Sequence, residues 1–479
     1  MKRLITLCIV LTAVALISAP VFAEVQNVKV SGDVNSAGVY RNNYDLLPAS
    51  RSDTSTDTTE VGQDSDNNNF LYTQARVRVD ADLTDNVSTT IRLLTEYDWC
   101  TESYTSGDGD NVDLDLANVT LKEAFYGPLT AIVGRQELRY GSAFVVGDPD
   151  TNGTSSDSNL TATDMSLRKS FDAVRGILDY SPLTIDVIFA KINETGSTEN
   201  SDESLYGVNA AYQFDANDAE VEGYWFLNRD DDGDAPVETA DTTSPGHMIH
   251  TYGVRGSIVP VDNLNVYGEL AFQRGEYDDG SSIASAVERD QEANAYQLGV
   301  DYSLGTEWAP VVKAGWTHYS GEGYGNNGDY DAWIPLYEDQ THGVVANYVL
   351  SGVNGGQNSN ADILNLGASV EPIEDLSISI DYYSFWLDEK LVTTDNTLLS
   401  TNGATGYTNL TTPSNYALNA DDDLGYEIDV ALNYDYTEDV KMGLAAGWFK
   451  PGNALEGQNS TDRNEETAIQ VLATLDVAF

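Results

Sequence analysis

The dominant pattern along the chain is strict alternation of apolar and polar positions. Leu71, Thr73, Ala75, Val77, Val79, Ala81 and Leu83 fall on one face of an extended segment, and Tyr72, Gln74, Arg76, Arg78, Asp80 and Asp82 on the other. Successive side chains of a strand point to opposite faces, so such a segment places one face in lipid and the other in water. A helix would mix the two classes on every face. Asp85 and Asn86 turn the chain, and the pattern resumes from Val87 to Tyr97 with Arg92 and Glu96 on the polar side.

Eighteen segments read this way: 25–33, 70–83, 86–98, 116–126, 129–138, 170–180, 183–192, 204–214, 218–228, 249–259, 262–274, 293–303, 308–319, 361–370, 374–387, 424–436, 438–449 and 466–479. Their connections alternate between turns of a few residues, such as Gly127-Pro128, Ser181-Pro182 and Pro260-Val261, and long polar stretches such as 34–69, 139–169, 320–360 and 388–423. That layout predicts an all-β fold, an up-and-down antiparallel transmembrane β-barrel of about eighteen strands, with short periplasmic turns and long extracellular loops. The last strand alternates Ile469, Val471, Ala473, Leu475, Val477 and Phe479 with Gln470, Leu472, Thr474, Asp476 and Ala478. A terminal aromatic on such a strand resembles the signal read by the bacterial outer-membrane barrel assembly machinery, which makes that machinery and the bacterial outer membrane, with its lipid and lipopolysaccharide, the expected surroundings.

The first residues supply the route there. Lys2 and Arg3 precede an apolar run over 4–17 and a small-residue cleavage site at Val21-Phe22-Ala23. Residues 1–23 are therefore expected to be a secretory signal peptide and 24–479 the barrel. The apolar run is too short to cross a bilayer as a helix.

Charge narrows the partners. Without Lys2 and Arg3, the remaining 456 residues carry 22 basic and 77 acidic side chains, a formal net charge of −55. Nucleic acid is excluded as a partner, since phosphate binding needs a positive face. Aromatics at 10% argue against a chain kept disordered by self-repulsion. Cys8 leaves with the signal and Cys100 remains alone, so no intrachain disulfide and no CxxC site is expected.

No serine nucleophile elbow, glycine-rich phosphate loop or paired His and Ser motif occurs, so no enzyme activity and no catalytic residue is expected. His247, His250, His318 and His342 lack partners at metal-ligand spacing and read as non-ligands. No cofactor is expected. The acidic runs 107–115, 230–234 and 421–423 read as solvated loop surface, with weak Ca²⁺ binding the one cation chemistry they offer.

The remaining signal is arginine inside strands. Arg76, Arg78, Arg92, Arg135, Arg175 and Arg255 lie at alternating positions, with Arg139 and Arg168 just beyond strand ends. On the lipid face an arginine costs about 2–4 kcal/mol near the midplane, so these should point into the lumen. Asp80, Asp82, Glu96, Glu137, Asp172 and Asp179 lie near them. Two readings follow: a guanidinium-lined path for carboxylate or phosphate groups, or an internal salt-bridge network that stiffens the barrel.

Val133-Gly134-Arg135-Gln136-Glu137-Leu138-Arg139-Tyr140-Gly141 resembles the GRQ-x-L-x-YG signature of the alginate-export family of outer-membrane porins, and Phe171-Asp172-Ala173-Val174-Arg175 is similar to that family's next strand motif. Gly425-Tyr426-Glu427-Ile428-Asp429 with Tyr434, followed by Trp448-Phe449-Lys450-Pro451-Gly452, resembles its closing hairpin. The resemblance runs from about residue 70 to the end. It implies a monomeric eighteen-stranded barrel with a narrow arginine-rich constriction that passes an anionic uronic-acid polymer. Arg135, Glu137, Asp172 and Arg175 are the positions the motifs carry over; Arg76, Arg78, Arg92 and Arg255 join as pore-lining on alternation alone.

The second half of the chain departs from this picture. Its strand wet faces hold few cations, chiefly Lys313 and Lys441, while Glu269, Asp301, Asp381, Glu427 and Asp429 project inward. The expected function is passive diffusion of an anionic polysaccharide or similar anionic solute. The alternatives are a general small-solute porin with cation preference and a surface or adhesive structural barrel. Residues 139–169 are the expected inward-folding loop.

Overall fold

In the computed structural model the described residues are 27–44, 46, 67–100, 112–149, 162–194, 202–230, 247–278, 288–323, 328–350, 358–390, 392–394, 397–399, 421–455 and 466–479. The expected signal peptide, the Gly107–Asn111 stretch and residues 231–234 of the acidic runs, and the middle of the expected inward loop lie outside them.

Eighteen strands form one antiparallel sheet: β1 (Asn27–Asn42), β2 (Asn68–Thr84), β3 (Val87–Asp98), β4 (Asp113–Leu121), β5 (Leu129–Glu137), β6 (Ser170–Asp179), β7 (Leu183–Glu194), β8 (Asp202–Gln213), β9 (Glu220–Asp230), β10 (His247–Val261), β11 (Leu264–Asp278), β12 (Glu288–Ser303), β13 (Val311–Tyr319), β14 (Ala361–Ile373), β15 (Leu376–Trp386), β16 (Asp423–Thr437), β17 (Val440–Pro451) and β18 (Ala468–Ala478). Each pairs with its neighbours in the chain, and β18 returns to β1 in the register Asp33↔Ala478 to Asn42↔Ile469. The sheet is therefore a closed barrel, which leaves no unpaired strand edge in the membrane. At the seam the Gly32 and Phe479 backbones exchange two hydrogen bonds of 2.9 Å.

The wall obeys the alternation that predicted it. Leu71, Val77, Ile91, Leu93, Val133, Val187, Val254, Leu298, Val312, Ile380 and Leu444 are exposed on the outside, where lipid replaces water. Tyr302, Trp308, Tyr434 and Tyr436 crowd the short-turn end, and Tyr206, Tyr252, Tyr426 and Trp448 the long-loop end, as expected of rings that sit at the two membrane interfaces.

Strand β1 runs nine residues past its expected end at 33. The alternation fails there because the inward face is not wet. Ala37 and Val39 are buried with Tyr72, and Met165 packs against them from the 162–169 segment. An inward apolar residue beside an outward one erases the period-two signal.

Candidate functional site

The lumen has two dissimilar walls. On the β1–β7 side a band of charge runs from strand to strand. Arg76 on β2 pairs with Asp33 on β1 at 3.0 Å, and Arg78 with Asp80 at 2.8 Å. Arg92 on β3 binds both Asp115 on β4 and Glu137 on β5. Arg135 grips Asp172 on β6 with two hydrogen bonds, of 3.0 and 2.7 Å, and Arg175 pairs with Asp186 on β7. Arg255 on β10 stands apart from this band and reaches Glu220 at 3.4 Å. Each of these arginines has a carboxylate partner, but Arg135, expected in the lumen, is not there: Phe171 and Ala173 are buried in the inner cluster, so Asp172 and its register partner Arg135 share the outer face with Val174 and Val133.

Burial divides these pairs into two classes. Arg92 and Asp115 side chains are 9% and 2% exposed. Removing either partner from such a pair would strand a buried charge, at a cost of about 3–5 kcal/mol. A register shift between Arg92 and Leu93 in the β3–β4 pairing lies beside Asp115. By contrast the Arg78 and Asp80 side chains are 43% and 33% exposed, and Arg76 and Asp33 are 25% and 34% exposed. Exposed ion pairs are worth about 0–1 kcal/mol.

The glycine-arginine motif is used residue by residue. Gly134 has φ +118, and a Cβ there would lie 2.2 Å from the Ala117 carbonyl oxygen, so only glycine lets β5 approach β4 at this point. Arg135 also donates to the Leu114 carbonyl at 3.1 Å, and Gln136 to the Ala173 carbonyl at 3.1 Å. Leu138 is fully buried, Arg139 reaches Asp339 at 2.7 Å, and Tyr140 packs on Phe226 beneath the Arg175 guanidinium. The Gly141 N–H donates to Glu222 at 2.9 Å.

Three described segments fold into the barrel. Residues 139–149 and 162–169 do so as expected, but 328–350, within a connection that read only as a long polar loop, do so as well. The first and the last pair with each other: Gly147 N–H donates to the Tyr337 carbonyl at 2.6 Å, Tyr337 N–H to Val145 at 3.1 Å and Asp339 N–H to Ala143 at 2.9 Å. Phe144, Val145, Val146, Trp333, Tyr337, Val345 and Val349 fuse with inward residues of the strands, Phe226, Tyr319 and Phe449 among them, into one apolar cluster.

The opposite wall holds these segments with carboxylates. Glu269 accepts hydrogen bonds from the Ser142 N–H at 2.9 Å, the Ser142 hydroxyl at 2.8 Å and the Tyr224 hydroxyl at 2.7 Å. Glu427 accepts from the N–H groups of Val344, Val345 and Ala346 at 2.6, 2.7 and 2.6 Å, and Asp429 from Val344 at 3.1 Å. Gly343, at φ +84, lets the chain pass within reach, since a Cβ there would lie 2.7 Å from a Glu427 oxygen. Three of the five inward acids of the second half thus anchor loops. A fourth, Asp381, pairs with Lys313 at 2.7 Å. Charge pattern alone reads them as a repulsive surface, because the loop backbone that they bind carries no sequence signal.

The two walls meet at Asp339, which binds both Lys169 at 2.6 Å and Arg139 at 2.7 Å. Burial pushes its carboxyl up, and the Lys169 and Arg139 charges more than offset that and hold it below its ordinary value. Nearby in sequence, burial lowers the His342 imidazole from 6.5 to about 4. Both folded values are depressed, so both groups stabilise docking above their ordinary pKa and lose that contribution as pH falls. Acidification from pH 7 to pH 4 is expected to reduce amide hydrogen-exchange protection of 328–350 while strand amides stay protected. Uniform protection across that range would contradict the assignment.

The family profile for alginate export matches residues 33–469. The chain belongs to the alginate-export family. No curated protein matches it. Among solved structures, this alginate-export barrel is similar in fold to Acinetobacter baumannii OccAB1 (TM-score 0.53, 10% identity, covering 96% of this chain and 99% of that one). It is likewise similar to Pseudomonas aeruginosa OccK11 (OpdR) (0.51, 11%, 95% and 97%) and to Pseudomonas aeruginosa OccK2 (OpdF) in complex with glucuronate (0.51, 11%, 95% and 97%).

Proposed function

We propose that the protein is a passive channel of the bacterial outer membrane that conducts an anionic, uronic-acid-type saccharide along the β1–β2 wall. The observation that carries this reading is the division of the arginines by burial. The buried Arg92 pair is frame. Arg76 and Arg78, alternate on β2 and partly exposed, each hold a partly exposed carboxylate that a passing solute carboxylate replaces at little cost. A guanidinium offers the same planar fork to either carboxylate, so the exchange keeps its geometry. Alternating exposed pairs let a polyanion advance from one guanidinium to the next without a deep trap, which conduction requires. Family membership supports the reading, and the glucuronate complex of a similar fold guides the choice of probe.

The test is current blockade in a planar bilayer holding the full-length mature protein. A uronic-acid oligomer added to one side is expected to interrupt the current at a concentration roughly tenfold below that of a neutral oligosaccharide of equal length, the difference that about 1.4 kcal/mol of preferential binding gives. Equal potency of the two would overturn the anionic-solute reading.

A further inference from the structure

On the outer surface of the barrel, at the long-loop end, three chemistry-bearing side chains converge that lie far apart in sequence. Thr317 and Tyr319 of β13 are buried on the inward side, so His318 between them is carried by the outer face. Its register partner on β14 is Asp362, and the His318 Nδ1 lies 2.9 Å from an Asp362 oxygen. Asp388, two residues beyond the end of β15, completes the group, with one ligand atom from each residue within 4.8 Å of the others.

The surroundings hold each member in place. The Tyr296 ring stacks on the imidazole with centroids 4.7 Å apart. The Gly321 N–H donates to Asp388 at 2.8 Å, and Asn360 clamps the next residue by accepting from the Glu389 N–H at 2.8 Å and donating to its carbonyl at 3.1 Å. Trp316 and Trp386, stacked 5.9 Å apart, lie beside the group on the same face.

We propose that His318, Asp362 and Asp388 form a divalent transition-metal site of the zinc class on the outer rim of the barrel. One imidazole and two carboxylates suit zinc better than the all-oxygen sets favoured by Ca²⁺ and Mg²⁺. Ligands about 2.1 Å from a metal, at angles of about 90–110°, lie roughly 3.0–3.4 Å apart. The His318–Asp362 spacing of 2.9 Å is close to that figure, and Asp388, held through one oxygen by the Gly321 N–H, closes the remaining distance with its other oxygen by a side-chain rotation. The metal would replace the proton that nitrogen and oxygen now share. With three protein ligands the site keeps an open position, as non-structural zinc sites do. The metal would tie β13, β14 and the segment after β15 together at the membrane interface.

Isothermal titration of the refolded, detergent-solubilised full-length mature protein with Zn²⁺ tests this. One saturable site is expected, weakened at least tenfold by His318→Gln and by Asp388→Asn, and unchanged by Asp422→Asn as a control carboxylate. Asp388 lies beyond the end of β15, so its substitution leaves the strand pairings of the barrel intact, which retained β-sheet circular dichroism checks. Equimolar Ca²⁺ should not displace the zinc. Absence of a saturable site, or zinc affinity indifferent to both substitutions, would overturn the assignment.

Discussion

Glu427→Ala is expected to enlarge the pore. The wild-type carboxylate is fully buried on the barrel wall and accepts three backbone N–H groups from Val344, Val345 and Ala346. Truncation orphans the Val345 and Ala346 donors and leaves Val344 its longer bond to Asp429. A buried donor left without a partner costs about 1–3 kcal/mol, so the total is on the order of 2 kcal/mol or more. The barrel itself closes through eighteen strand pairings that do not involve this side chain's carboxylate. The cost therefore falls on the docked state of 328–350, which the substitution releases from the lumen. Single-channel recording should show a unitary conductance well above wild type, with larger open-channel noise. Glu427→Gln should lie between the two, because the amide oxygen still accepts but lacks the charge. A conductance equal to wild type in Glu427→Ala would mean that the segment is held by its apolar contacts alone.

The wall of this protein was legible in its sequence, whereas what fills the wall was not. Lipid demands apolar side chains on one face of each strand, and that demand is written at every second position from Leu71 to Leu83 and again along β18. Most of the inward arginines followed from the same rule, because a guanidinium has no place in lipid; Arg135 escapes it by pairing with Asp172 on the outer face. Their partners were harder to name. Asp80 and Asp172 lie close to their arginines in sequence or on matching motifs, but Asp115 and Asp186 reach Arg92 and Arg175 only through the strand registers. The segment 328–350 was missed because Trp333, Tyr337 and Val345 follow no period; their burial against Phe144 and Phe449 depends on two distant loops meeting. Glu269 and Glu427 were found to point inward, but their role is set by backbone N–H groups that every loop possesses. The His318, Asp362 and Asp388 group shows the same limit: no spacing along the chain brings these three together, because Asp362 arrives on β14 and Asp388 from beyond β15.

The sign of ion selectivity follows from which charges a moving solute meets. Arg76→Glu with Arg78→Glu reverses the two partly exposed guanidiniums of β2 and leaves the buried Arg92 and Arg175 pairs and the Asp339 junction untouched. Asp33 and Asp80 then face glutamates in place of their partners, so the β1–β2 wall becomes repulsive to carboxylates along its accessible part. The pairs are exposed enough that folding should persist, since such pairs add little stability. Arg175→Glu is the poorer choice, because Asp186 is almost wholly buried and would be stranded beside a like charge. Low ionic strength enlarges the effect, because the Debye length grows from about 10 Å at 0.1 M to about 30 Å at 0.01 M. The measurement is the reversal potential across a planar bilayer under a gradient of a sodium uronate, for wild type and for this double variant. The account predicts that wild type favours the anion and that the double variant loses or inverts that preference. A wild-type channel that favours sodium, with a reversal potential indifferent to both substitutions, would contradict it and leave a general acidic porin in its place.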